Sequence, residues 1–335
     1  MAFNVYDENL VRVGTIQTIV SSTWEEQYSD RGICQLVVSN SPEASVLLLT
    51  DRFIGQPNKK TLWQIKTREK RDGNLWVNGF TANYTLLEDR VYEGLHVSDN
   101  VEEDLRGAVE TQRPADIVGL APVRGLQGSS ISEHTYPSLF KLAKDLCGMV
   151  EYGFTFNHDR AKKKLLFDVY QGTEKPNAKF SERWGNLKNL ELLQSNTGFK
   201  NVAYVGGAGE GAERVFVQCG AVETVGLQRR ELFVDARDIR KEDGQSDEQY
   251  KALLRERGLQ ELNEHNQKLS VTFDVAPESF GEDYYLGDII HCILPDDGLK
   301  LFVRVIAFEE VIENNKTRLA ITIGSPILQT TGGKS

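Results

Sequence analysis

No apolar run in this chain approaches the roughly 20 residues needed to cross a bilayer as a helix. The N-terminus, Met1-Ala-Phe-Asn-Val-Tyr-Asp-Glu-Asn9, has neither the basic n-region nor the apolar h-region of a secretory signal. The expectation is a protein folded in a cytoplasm, any later exterior location coming through assembly or lysis. Cysteine is scarce: Cys34, Cys147, Cys219 and Cys292 stand 72 or more residues apart, with no C-x-x-C pair and no histidine at ligand spacing. His291 and Cys292 are adjacent, but neighbouring strand side chains point to opposite faces and do not easily share an ion. Four buried, reduced thiols are expected, since free cysteine packs as a small hydrophobe. An excess of positive charge is also missing. A net charge of −10 argues against a protein that grips nucleic acid through its phosphates, though not against one past which nucleic acid slides.

Catalytic patterns are absent too. There is no H-E-x-x-H and no G-x-S-x-G around the five histidines His96, His134, His158, His265 and His291. Gly206-Gly-Ala-Gly-Glu-Gly211 lies after an apolar strand as a phosphate loop would. It lacks the Lys-Ser/Thr of a Walker loop and leads into the extended Arg214–Gln218 rather than a helix, so it reads as a loop joining two strands. Glu264-His265 reads as the solvated end of a helix. Glu282-Asp283 forms no recognisable carboxylate pair across a sugar site, and Gly287-Asp288 reads as a turn at a strand start. Asp72-Gly73 and Asp296-Asp297-Gly298 lack the ligand spacing of a calcium loop and read as hairpin turns. Trp24, Trp63 and Trp76 sit on predicted strands and are expected to pack inside a β domain rather than to form a sugar-binding platform. No catalytic, cofactor-binding or metal-binding residue is assigned.

What is present is ordinary globular composition, 40% hydrophobic and 26% charged, in 335 residues that suffice for two or three domains. Leu10–Val20, Trp24–Tyr28, Gly32–Val38, Leu62–Arg68 and Leu75–Phe80 alternate or nearly so, with Ser29–Arg31 and Asp72-Gly73 as turn material. Short strands at this spacing point to a sandwich or barrel. The middle changes character. A helix is predicted from a cap at Asp99 with Glu102, carrying Val101, Leu105 and Val109 on one face. A second runs from Pro137 through Leu139, Leu142, Ala143, Leu146 and Cys147 to a stop at Gly148. Phe154–Asn157 and Lys164–Tyr170 then form a hairpin. Strands return from Phe180, interrupted by one helix that Ser246-Asp247 caps and whose face is Tyr250, Leu254, Gly258 and Leu262. The tail Gln329–Ser335 is expected to be disordered. The fold class is thus mainly β with an α+β insertion. The expected division is a first β-barrel region at 1–95, an α+β insertion at 96–179, a second β-barrel region with one inserted helix at 180–328, and a tail at 329–335.

A series of phrases resembles the siphophage tail-hub family, which is similar in fold to the hubs of contractile phage tails and type VI secretion spikes. They are Trp24-Glu-Glu-Gln-Tyr-Ser-Asp-Arg-Gly-Ile-Cys-Gln-Leu36, Leu75-Trp-Val-Asn-Gly-Phe80, Leu86-Leu-Glu-Asp-Arg90 and Phe180-Ser-Glu-Arg-Trp-Gly-Asn-Leu187. Further along come Asn201–Gly207 with Gly209–Val215, Arg229–Asp238, Leu254–Leu259 and Tyr284–Ile290. They occur in the family's order over nearly the whole chain. The resemblance implies two tube-like β-barrel domains plus smaller α/β domains, and a non-enzymatic homotrimer in the virion's tail tip, assembled in the host bacterial cytoplasm. Three subunits would present six barrels to a six-fold tube. The implied partners are a distal tail protein, the tail tube or tape-measure protein, and other tail-tip or receptor-binding proteins. Neither specific nucleic-acid binding nor a membrane span is expected. Because the chain ends soon after its last strand, any hydrolase or receptor-binding activity is expected on another polypeptide. Two other readings stay open at this point: a tail-associated cell-wall hydrolase or peptidase, and a baseplate module that binds host polysaccharide.

Overall fold

The computed structural model describes residues 2–93, 97–112, 115–131, 136–242, 244–266, 268–275, 280–294, 299–313 and 316–324. His96, His134, the Asp296-Asp297-Gly298 turn, Asn314-Asn315 and the 329–335 tail lie outside the described residues. Two compact units emerge: Met1–Glu191 together with Val271–Ser335, and Leu192–Ser270.

The first unit opens with β1 (Phe3–Tyr6), β2 (Arg12–Ile16), β3 (Ile19–Gln27), β4 (Ile33–Ser39), α1 (Pro42–Leu47), β5 (Phe53–Gly55), β6 (Trp63–Arg71) and β7 (Asn74–Thr81). The Leu10–Val20 run, expected as one strand, is divided. Leu10 takes a φ of 58° and closes a tight turn on Asp7, and Gln17-Thr18 separates β2 from β3. β3 then continues through Trp24 without a break. The predicted Asp72-Gly73 hairpin is present, with positive φ at both residues (51° and 74°) as a two-residue I′ turn requires. Strict alternation along β7 sends Leu75 and Val77 into a core with Phe3, Leu36, Trp24 and Trp63. Trp24 stacks on Phe3 at 4.5 Å and meets Trp63 edge-on at 4.8 Å.

Next come α2 (Ala82–Leu87), β8 (Val97–Ser98), α3 (Val101–Gln112), β9 (Val118–Leu120), β10 (Ser130–Ile131), α4 (Leu139–Met149), β11 (Gly153–Asp159) and β12 (Lys164–Tyr170). Helix α2 carried no sequence signal strong enough to be read. Val101, Leu105 and Val109 face inward as their spacing predicts. The cap, however, is Asn100, whose side chain accepts the Glu103 N–H, and not Asp99. Ser138 caps α4, so Pro137 stands just ahead of the helix; the helix runs through Gly148, and the left-handed residue that follows it is Glu151. α2, α3 and α4 share one core with the β11–β12–β9 sheet.

β13 (Glu174–Phe180) and β14 (Lys188–Ser195) lead to the second unit: β15 (Val202–Gly206), β16 (Phe216–Gly220), β17 (Glu231–Asp235) and α5 (Asp247–Glu264). β15 lies between an antiparallel β16 and a parallel β17. The predicted helix face is the buried one, Tyr250, Leu254, Gly258 and Leu262, and Ser246 with Gln249 forms a full capping box.

β18 (Lys268–Val275), β19 (Ile289–Leu294), β20 (Leu299–Glu313) and β21 (Lys316–Ile323) complete the fold. β20 does two jobs. Its first half pairs with β19, Ala307–Glu313 pairs with β3 of the opening region, and its ladder to β21 shifts register between Val305 and Ala307. The two β regions therefore share one thirteen-stranded sheet, whose main path runs β14-β18-β21-β20-β3-β4-β7-β6-β5-β1-β2. Each region keeps its own core, the second around Phe180, Phe273, Tyr284, Ile290, Val303 and Ile321. The protein is mainly β with large sheets and few helices. No ladder among the described residues closes either half into a barrel.

Candidate functional site

The first unit holds a cleft of about 940 Å³ lined by both polar and apolar side chains. β3 offers Glu26, the segment after β5 offers Gln56, Lys59 and Thr61, the α+β region offers Arg124, Asn157 and Asp168, and β20 offers Phe308 and Glu310. Its acidic side chains are answered within the protein. Lys59 Nζ lies 3.0 Å from Glu310 and 4.5 Å from the centre of the Phe308 ring, and Gln56 donates to the same carboxylate at 3.2 Å. Arg124 grips the buried Asp168 with two bonds of 2.8 and 2.7 Å, and Asn157 adds a third at 3.2 Å. The Arg124 backbone N–H donates to Glu102, which α3 turns inward. Glu26 accepts from Thr61 at 2.7 Å; burial pushes its carboxyl up from the ordinary value, with Lys59 pulling it back and Glu310 adding to the rise.

Beside the cleft, Tyr28 ties the regions of this unit together. Its hydroxyl lies 3.0 and 3.2 Å from the carbonyls of Glu151 and Tyr170 and accepts from Gly172 N–H. Burial moves its phenol up to about 12. Arg304 stacks over the ring, donating to the Gly287 carbonyl at 2.7 Å and to Glu151 at 2.8 Å. A Cβ on Gly153 or on Gly287 would come within 2.3 Å of the Tyr28 ring, so both positions need glycine for the ring to lie there. The sequence marks Tyr28 only as the end of a strand, because every partner lies more than a hundred residues away.

The sequence-singled residues scatter rather than converge. Gly206–Gly211 joins β15 to β16, as read. Arg214 donates to the carbonyls of Gly206 and Gly207, and Tyr250 Oη accepts from Ala208 N–H. His265 ends α5, 2.9 Å from the Glu261 carbonyl. His291 turns to Glu174 and Phe302, while Cys292 points into the core on the other face of β19. His158 is buried edge-on to Tyr6 with no partner for either ring nitrogen, and burial lowers its pKa. Asp288 makes the predicted turn, accepting from Thr173 and Tyr285 N–H groups. Glu282 and Asp283 are exposed. Trp24 and Trp63 are wholly buried, Trp76 is partly covered beneath Arg71, and all four cysteines are buried and unpaired. Among the described residues no three His, Cys, Asp or Glu side chains are grouped for a metal, and no helix is long and apolar enough to cross a membrane.

Solved structures similar in fold to this chain include phage tail proteins. The chain is similar in fold to the tail protein from Neisseria meningitidis MC58 (TM-score 0.60, 10% identity, covering 97% of this chain and 96% of that one). It is similar to the 43 kDa tail protein of prophage MuSo2 from Shewanella oneidensis (TM-score 0.63, 9% identity, 97% and 99% covered). It is likewise similar to prophage tail protein gp18 from Listeria monocytogenes EGD-e (TM-score 0.56, 13% identity, 97% and 94% covered). Among curated proteins none matches in sequence. The chain belongs to the Siphovirus ReqiPepy6 Gp37-like protein family, whose model matches residues 84–325. Its family is a siphovirus one, and its fold is similar to that of phage tail proteins.

Proposed function

We propose that this chain is a non-enzymatic hub of a long-tailed phage's tail tip. It acts as a homotrimeric ring that joins the tail tube to the distal tip and lets DNA pass. The observation that carries the reading is β20, whose two halves weld two β regions with separate cores into one sheet. A single chain thereby holds two β modules in fixed register, which is what three copies need in order to meet a six-fold tube. The modules correspond to regions 1–95 and 180–328, with 96–179 as an insertion; closing each module into a tube wall is left to neighbouring copies, which cover the free sheet edges. A lumen wall richer in acidic than basic residues fits the net charge of −10 and keeps DNA from adhering. The distal tail protein, the tail tube or tape-measure protein and other tail-tip proteins are its partners in the virion. The cleft supports a structural role, since each of its acids has a cation or donor beside it.

Solution mass together with negative-stain imaging tests the ring: a three-fold annulus is expected, and a stable dimer overturns it. Zymography on cell walls tests the non-enzymatic part, where a cleared band would count against it.

A further inference from the structure

The cleft of the first unit has two kinds of lining. One stretch is aromatic: the Phe280 ring lies 4.4 Å from that of Phe308 and 6.5 Å from that of Tyr285, centre to centre, and Tyr285 is 56% exposed. Another is polar and comes from the β11–β12 hairpin and the residue after it, with Thr155, Asn157, Asp168 and Gln171.

The charged and the neutral polar groups of this lining differ in what they hold. Four acids, Glu26, Asp168, Asp288 and Glu310, are equalled in number by four bases, Lys59, Lys60, Arg124 and Lys175. Asp168 is tied to Arg124 at 2.7 Å, Glu310 to Lys59 at 3.0 Å and Asp288 to Lys175 at 3.7 Å. The neutral groups are left free. Among the described residues the side chains of Asn58, Thr155, Gln171 and Thr317 have no hydrogen-bond partner, and neither has the Tyr285 hydroxyl.

This division selects a class of ligand. An ion meets no net charge. A phosphate would have to draw Arg124, Lys59 or Lys175 from the carboxylate already beside it and leave that acid unpaired. An apolar molecule would strip water from the free amides and hydroxyls and give nothing back. The lining suits an uncharged molecule with C–H faces to lay on the rings and hydroxyls that both donate and accept, because free amide and hydroxyl side chains do both as well. A sugar chain has those properties. A volume of about 940 Å³ also falls in the range of small-molecule sites, roughly 300–1,000 Å³, and gives room for a short oligosaccharide.

We propose that this cleft binds a neutral saccharide chain, its rings against Tyr285 and Phe280 and its hydroxyls bonded to Asn58, Thr155, Gln171 and Thr317. The site belongs to one subunit, so it stands or falls apart from the ring reading.

Saturation-transfer NMR on the full chain reads the binding, with maltotriose, an N-acetylglucosamine trimer and a rhamnose trisaccharide as probes. Transfer to at least one of them is expected, while a glycerol-phosphate oligomer and acetyl-trialanine amide of similar size show none. Tyr285→Ala and Gln171→Ala, both at exposed positions, should each weaken the bound probe about threefold to tenfold with unchanged thermal unfolding. Asn58→Ala, on a separate exposed segment, should do the same, so that one misfolded variant does not decide the outcome. No transfer to any neutral probe at millimolar concentration overturns the proposal. So does binding that every variant leaves unchanged, or that the anionic or the peptide probe equals.

Discussion

The two units bury their apolar surface in different ways. The first encloses three clusters and crosses between them with paired charges and with Tyr28. The second has a single cluster, under α5, while Phe216 and Phe233 on the other side of its sheet stay more than half exposed. The comparison predicts that perturbing a core of the first unit costs folding, whereas substitutions at the exposed Phe216 and Phe233 of the second cost little stability.

The sharpest test of the first half is Trp63→Ala. The ring is wholly buried against Trp24, and its loss should cost about 3–5 kcal/mol in a urea titration. Trp63→Phe should cost distinctly less, because its ring refills most of the space that alanine leaves empty. Equal losses would mean that the core closes over the missing ring and that its volume does not set the cost.

Two helical glycines contrast the units more finely. Gly258 on α5 faces the sheet so closely that a Cβ would sit 2.4 Å from Cys219 Sγ and 2.5 Å from a Val205 methyl. Gly258→Ala should therefore destabilise by about 1 kcal/mol net, overpacking outweighing the gain in helix propensity. Gly107 on α3 is exposed with nothing near, and Gly107→Ala should stabilise by about 0.4–1 kcal/mol. If both substitutions move the same way, the close approach of α5 to its sheet is wrong.

Much of this was legible locally. The Asp72-Gly73 turn, the buried face of α5, the Ser246 cap and the Gly287-Asp288 turn each depend on residues within a few positions, and each is where the pattern placed it. What escaped is nonlocal. Nothing in Leu299–Glu313 says that one strand will serve two regions, because either half alone reads as an ordinary strand. Tyr28 is defined by backbone carbonyls and glycines far along the chain, and Glu102 was read as part of a cap because its true donors, Arg124 and Leu126, lie in an irregular segment. Patterning finds faces; it does not find which face of another element they meet.

Ser246→Ala tests the local end of that scale. The Ser246 hydroxyl accepts the Gln249 N–H while the Gln249 side chain returns a bond to the Ser246 N–H. Its loss should cost about 1 kcal/mol, detected as faster hydrogen exchange within α5. The same loss of protection in the first unit would mean that the two units unfold as one.

The smallest expected effect is the most diagnostic of the cleft. Burial raises the Glu26 carboxyl above its ordinary value of 4.5, which means that the folded state holds this proton more tightly than the unfolded chain does. Between the unfolded and the folded value the native protein binds more protons, so stability falls as pH rises through that window and levels off above it. Glu26→Gln keeps an acceptor for Thr61 and has no proton to lose. It should match the wild type below the ordinary value and exceed it above the raised one, with the slope between them gone. The variant forfeits the attraction of Lys59, which opposes the gain, but burial is the larger influence. Denaturant titrations from pH 4 to 8 read the difference. A variant that is less stable than the wild type at pH 8 would show that Lys59 outweighs burial, and that the seam between β3 and β20 is held by its charges rather than in spite of them.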